Sequence, residues 1–315
     1  MTLHHDALLW AVLAVINASL VVFLAPLLDG VERKVRARVQ RRVGPPILQT
    51  VYDLIKLYRR PPTQDPSAGP FHGVAPFIAF PTALIAALVI PSVLPYRLGF
   101  PGDLIVVAYL LVSVSTITSF GAASSSIPYS VVGGWREASL TMASELALGA
   151  AVAAIASANG SLLLASVMPA YSVSGPKPSV LAALAGLAII TYVEGGRLPF
   201  EIAEAEPELA GGVTVGYGGS SLALLLHSLM IKRVLFTSLF LDLLIPWDAL
   251  PVLGGYCSWV VLRAALFTAA LTLTSVVFAA LEASYGRCRP GHALTLVKRA
   301  VIVSGVALIA SCFGI

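Results

Sequence analysis

Residues 194–217 read EGGRLPFEIAEAEPELAGGVTVGY and hold five of the chain's sixteen carboxylates: Glu194, Glu201, Glu204, Glu206 and Glu208. Only 11% of the 315 residues are charged, so this crowding is local. Apolar runs of spanning length lie on both sides, which places the acids at a membrane face. Beyond this stretch, 57% of residues are hydrophobic and the mean hydropathy is +0.88. A soluble domain would carry about 25% charged residues. Apolar runs near the ~20-residue spanning length recur along the sequence. The composition therefore specifies an all-α polytopic membrane protein, with one integral membrane domain over residues 1–315.

Several chemistries are disfavoured. Cys257, Cys288 and Cys312 are far apart with no CxxC spacing, which argues against iron–sulfur or zinc ligation by this chain and implies no disulfide framework. No Walker motif occurs, nor a GxGxxG after a strand, so nucleotide binding is unsupported. The N-terminal MTLHHDALLW has no Lys or Arg before its long apolar run, which reads as a retained first helix rather than a cleaved signal.

Eight spans are expected, at roughly 7–28, 73–94, 102–121, 138–158, 178–195, 219–246, 252–281 and 294–314. The loops after spans one, three, five and seven, at 29–72, 121–137, 196–218 and 282–293, hold fifteen of the twenty basic residues when Lys298 and Arg299 at the mouth of span eight are counted. Arg97 and Lys177 alone lie in loops of the other face. The positive-inside rule puts the charged loops in the cytoplasm and both termini outside.

Nine of those positives sit in the first loop. Gly44-Pro45-Pro46 must end any helix there. After it, ILQTVYDLIKLYRR gathers Ile47, Leu48, Val51, Tyr52, Leu54, Ile55 and Tyr58 toward one side, and Gln49, Asp53, Lys56 and Arg60 on the other. This is the pattern of an amphipathic helix along the interface. Its charges suit anionic lipid as well as a partner protein.

The spans also carry charge. Glu145 is about eight residues beyond Arg136-Glu137, hence ~12 Å deep at 1.5 Å per residue. Lys232 and Arg233 sit near the middle of span six, and Arg263 is at similar depth in span seven. A central Lys or Arg costs roughly 2.5–3.5 kcal/mol. Such cations are expected to face the bundle interior and pair with Glu145, backbone carbonyls or water, forming a polar track. Asp242 and Asp248 suit ordinary interface positions, and Glu282 marks the mouth of span seven.

In the acidic stretch, Pro199 suits the first turn of a short helix, on which Glu201, Glu204 and Glu208 would share a face and Glu206 would not. Pro207 breaks that face, because an interior proline clashes with the carbonyl of Ala203. Neighbouring carboxylates raise one another's pKa, so some hold a proton near neutral pH. A proton relay and a socket for a basic partner fit these charges equally.

The pattern Glu194, Arg197, Pro199-Phe200, Glu201, Glu204-Ala205-Glu206, Glu208 and Tyr217 resembles the signature of the subunit-1 (H-type) membrane subunit of respiratory complex I and of membrane-bound nickel–iron hydrogenases. The likeness extends to Glu32-Arg33-Lys34, Arg38, Gln40, Arg42, Gly44-Pro45, Gln49, Asp53 and Lys56, to Gly134, Arg136 and Glu145, and to the Arg287/Arg289 region. It implies a subunit that anchors a soluble redox arm and connects it to ion-translocating, antiporter-like membrane subunits. It assigns Glu145, Glu201, Glu204, Glu206 and Glu208 to proton path and coupling, to which the polar track adds Lys232 and Arg263. Glu32, Arg33, Arg38, Arg42, Asp53, Lys56, Arg136 and Arg197 are assigned to partner docking.

The same likeness implies no catalytic centre and no cofactor in this chain. Iron–sulfur clusters and nickel–iron would be carried by soluble iron–sulfur and large catalytic subunits, and quinone enters only in the complex I branch. No nucleic acid is expected among the partners. The direct passage from Gly44-Pro45-Pro46 to Ile47, the segment SSSIPYSVVGGWREAS and Lys232 point to the hydrogenase branch. Relatives usually carry Glu where Gly216 stands, an acid where Gly291 precedes His292, and a small or polar residue at Pro207. The competing readings are a stand-alone secondary transporter, although no paired broken-helix halves are visible, and a purely structural anchor.

Overall fold

Arg-rich but free of breakers, the sequence ERKVRARV lets the first helix run on past the membrane. A computed structural model of the chain describes residues 2–94, 102–168, 177–247 and 256–314, with side chains at 2–8, 64, 206, 207, 256 and 257 left outside that description. Helix α1 spans Thr2–Val39 without a break where a loop was expected from residue 29. It ends where Arg41 and Gly44 adopt positive φ values of 57° and 70°. Helix α2, Gln49–Tyr58, is the expected amphipathic helix, with Thr50 and Leu54 buried and Tyr52 and Ile55 exposed.

The next helices are α3 (Pro70–Val89), α4 (Asp103–Ala123), α5 (Pro128–Asn159), the short α6 (Leu164–Val167) and α7 (Pro178–Glu194). After the acidic stretch come the one-turn α8 (Glu206–Leu209), α9 (Gly219–Leu244), α10 (Tyr256–Ser284) and α11 (Pro290–Cys312). Seven helices are long and apolar enough to cross a membrane among the described residues. The fifth expected span, α7, is shorter, with 17 residues, about 26 Å at 1.5 Å per residue. Helix α5 starts ten residues before the expected span, because Pro128 at its first turn lacks only an N–H that no helix would use there.

Interior positions combine Leu, Val and Ile with small residues such as Ala83, Ala86, Ala147 and Ala151, which let helices approach closely. Large apolar side chains such as Phe23, Leu273 and Ile302 face outward, as a lipid-facing surface requires. Asn17, buried on α1, secures the end of α3. Its amide donates to the carbonyls of Ala87 and Ile90, and its oxygen accepts from the Val93 and Leu94 amides. Helix-end groups that hydrocarbon would leave unsatisfied are thus paired.

All four charged loops meet at one end of the bundle. The strand pair β1 (Thr63–Gln64) and β2 (Tyr217–Gly218) is antiparallel, a small β element that an all-α reading omits. The Gly69 amide donates to the Ser124 carbonyl, and the Cys288 amide to that of Pro199.

Candidate functional site: a buried ion-pair cluster beneath the acidic loop

The short helix expected from Pro199 does not form. The backbone from 195 to 205 is turn and extended chain, held by apolar side chains rather than helical bonds. Phe200 and Ile202 are buried with Leu140, Val193, Ala293 and Val297. Such side chains each contribute roughly 1.5–3 kcal/mol on burial. Helix begins only at Glu206, so Pro207 falls in a first turn rather than an interior. Helix α5 must come very close to this loop: a Cβ on Gly133 would lie 2.9 Å from the Ala203 carbonyl oxygen and from the Val213 amide.

Beneath the loop, at the end of α7, Glu194 is buried and fully bonded. Ser144 donates to its Oε1, while Ser115 (3.0 Å) and the Lys232 ammonium (3.2 Å) donate to its Oε2. Lys232 also donates to Ser115, so lysine, serine and carboxylate close a ring of hydrogen bonds. Four helices, α4, α5, α7 and α9, contribute to the cluster. The sequence-based expectation paired Lys232 with Glu145, backbone carbonyls or water. The structure corrects this: Glu145 is half-buried on α5 and makes no ion pair among the described residues, whereas its neighbour Ser144 points to Glu194.

A second cluster adjoins it. Arg233 donates to Asp29 (3.1 Å), Glu32 (3.2 Å) and the Gly195 carbonyl (2.8 Å). Arg197 donates to Glu32 at 2.6 Å and lies over the Phe278 ring at 4.8 Å. Arg36 meets Glu282 at 2.6 Å. Three acids, Asp29, Glu32 and Glu282, thus balance three arginines. Glu32 and Arg197, expected to dock a partner, are instead buried against each other. Burial lowers the Arg197 pKa, opposed by the Glu32 charge and reinforced by Arg233. Arg263, expected to pair with Glu145, backbone carbonyls or water, lies on α10, 3.9 Å from Asp242 of α9.

Between loop and bundle lies a cavity of about 70 Å³ lined by Glu137, Glu194, Glu201, Glu204, Lys232 and Arg233 among others. It has room for several waters, each needing roughly 10–15 Å³ of free volume. Burial pushes the Glu204 carboxyl up to about 7, and the charges of Glu201 and Glu137 add to this while Arg233 and Lys232 oppose it. Glu204 therefore exchanges a proton near neutral pH. Its folded pKa lies above the unfolded value, so the native state binds the extra proton between the two. Stability is accordingly expected to fall as pH rises from about 4.5 to about 7 and to level off above. The Glu204→Gln variant should lose that slope, as read from melting temperature against pH.

Other assigned residues sit nearer solvent. Glu201 faces Arg287 at 3.5 Å, and Glu208 meets Arg136 at 2.9 Å with its own side chain 57% exposed. Exposed pairs contribute roughly 0.2–1 kcal/mol, so Glu208→Gln should leave assembly and melting temperature essentially unchanged. Arg33 lies 3.8 Å from Asp53 and 3.3 Å from Thr50. Arg38, Arg42 and Lys56 are exposed. The Glu206 side chain and Asp248 lie outside the described residues. Ser115, Ser144, Glu137 and Asp29 were not singled out from the sequence, and only the run of serines and threonines in α4 hinted at a polar lining.

The NADH dehydrogenase family pattern matches residues 11–312. The chain is 32% identical over 251 residues to hydrogenase-4 component C of Escherichia coli, covering 78% of this chain and 79% of that protein. It is 31% identical over 283 residues to formate hydrogenlyase subunit 4 of the same organism, covering 87% and 90%. In fold it is similar to a chain of the membrane-bound sulfane sulfur reductase, an archaeal respiratory membrane complex, with a TM-score of 0.81 at 23% identity over 95% of this chain and 98% of that one. A chain matched over residues 11–312 by the family pattern and over most of its length by these relatives belongs to the NADH dehydrogenase family, whose members include membrane subunits of complex I, hydrogenase-4 and formate hydrogenlyase.

Proposed function

We propose that this chain is the membrane anchor and proton- or ion-coupling subunit of a multi-subunit, ion-translocating oxidoreductase of the nickel–iron hydrogenase type. Its charged loops face the cytoplasm and both termini lie outside, as the basic-residue asymmetry indicates. Iron–sulfur clusters and the nickel–iron site belong to soluble partner subunits, and antiporter-like subunits flank the chain in the membrane.

The observation that carries this reading is the Glu194–Lys232 pair opening onto an acid-lined cavity under the loop. Protonating Glu194 removes the charge that holds Lys232, and moving Lys232 exposes Glu194, so proton entry and the position of a buried cation are linked. Glu204, between loop and cavity, supplies protons at neutral pH. A redox event that shifts the loop would then alter the electrostatics of the pair. Two relatives at 32% and 31% identity that are named for hydrogenase systems, together with the short link from Gly44 to Ile47, favour this branch over a quinone-chamber subunit.

The test uses the purified complex in sealed vesicles. Glu194→Gln should assemble and retain redox turnover with an artificial donor, yet lose ion translocation. Unaltered translocation would remove the coupling role, and lost assembly with normal coupling in the remainder would make the chain an anchor only. Co-purification of a nickel-containing large subunit would support the hydrogenase branch; NADH- or quinone-linked subunits would place it in complex I. Ion movement by the purified chain alone would indicate a transporter.

A further inference from the structure

We infer that His72 is a positioning residue which, in its doubly protonated form, fastens the C-terminal end of the acidic loop to α4 and occupies the space of a side chain at position 216. His72 lies in the first turn of α3 and is fully buried. Its Nδ1 is 2.9 Å from the carbonyl oxygen of Gly121 on α4, and its Nε2 is 3.1 Å from that of Gly216. Carbonyl oxygens only accept, so each contact is a hydrogen bond only if that ring nitrogen carries a proton. A neutral imidazole has one N–H and would set its remaining lone pair against a carbonyl; the imidazolium satisfies both.

Two further observations agree. The ring stacks on Tyr217 with centroids 4.1 Å apart and an interplanar angle of 17°, and the negative face of an aromatic ring attracts a cation. The hydroxyl of Tyr217 is buried without a hydrogen-bond partner among the described residues, so this tyrosine is held through its ring face. Second, a Cβ on Gly216 would lie 2.6 Å from His72 Cε1 and 2.9 Å from Nε2. Any side chain at 216 and the imidazole of His72 therefore compete for the same space, which accounts for the glycine.

The groups facing His72 are Tyr217 from β2, the Gly121 carbonyl from α4, and the charge of Asp65 from the link between β1 and α3. Asp65 is kept ionised by bonds from Ser126 and Ser67 and by the His72 charge. Loss of the imidazolium proton would remove one of the two anchors and free Gly216 from α4. This inference stands whether or not the loop conducts ions.

In the assembled complex, nitrogen-15 spectra of labelled histidine should show a proton on both ring nitrogens of His72. Deuterium uptake over residues 213–220 should rise several-fold in His72→Ala, which lacks both donors. Gly216→Glu alone should abolish assembly, and adding His72→Ala should restore a complex with the same raised uptake. A bare ring nitrogen on His72, unchanged uptake in His72→Ala, or normal assembly of Gly216→Glu with His72 in place would overturn the inference.

Discussion

Replacing Lys232 with methionine is expected to abolish ion translocation while leaving the fold intact. Methionine matches the length of the lysine stem, so the packing of α9 against α4 and α7 survives. What is lost is the cation 3.2 Å from Glu194. Removing one partner of a buried pair costs about 3–5 kcal/mol if the other stays ionised. Glu194 has a cheaper course, because it lines the cavity with Glu204 and can take a proton from it. Neutral Glu194 still bonds to Ser115 and Ser144, so the complex should assemble with a modestly lower melting temperature. A protonated-carboxyl infrared band absent from the unaltered protein would report the change. Glu194→Gln combined with Lys232→Met should recover the melting temperature but not translocation, since no titratable pair remains. Translocation at the normal rate in Lys232→Met would sink the switch mechanism.

The sequence located the charges but not their partners. Hydropathy placed most spans within a few residues, and the basic residues marked the four loops that the structure brings to one end. Lys232 and Arg263 were legible as interior residues because a lone cation in hydrocarbon is too costly. Their partners were not, since depth along a helix says nothing about rotation around it. Glu145 and Glu194 are both acids near a span, yet only Glu194 faces α9. The loop departs from its helical spacing for a related reason. Helical spacing grouped Glu201, Glu204 and Glu208, but burial of Phe200 and Ile202 fixed an extended chain, and this scattered the three acids to Arg287, the cavity and Arg136. Serine hydroxyls such as Ser115 and Ser144 carry no sequence signal that separates a ligand from ordinary helix filler.

Arg197→Met is expected to be the most destabilising single change in the loop. The side chain is 1% exposed and combines two contacts in one planar group: a 2.6 Å bond to Glu32 and stacking over Phe278. Methionine replaces the apolar volume but leaves Glu32, itself buried, with Arg233 alone at 3.2 Å. About 3 kcal/mol should be lost, the low end of the range for a broken buried pair because that second arginine remains. Arg197→Lys should not rescue, since an ammonium is a point charge without the planar face that rests on Phe278. Loss of the anchor also releases residues 195–205 from α1 and α10, opening the cavity to water. Glu204 would then return toward an ordinary carboxylate, and the fall of stability between about pH 4.5 and about pH 7 should flatten. Glu32→Gln with Arg197→Met should be more stable than the sum of the single changes implies, with a coupling of roughly 0.5–3 kcal/mol. Strict additivity would mean that Arg197 holds the loop through Phe278 alone, and Glu32 would then act only through Arg233.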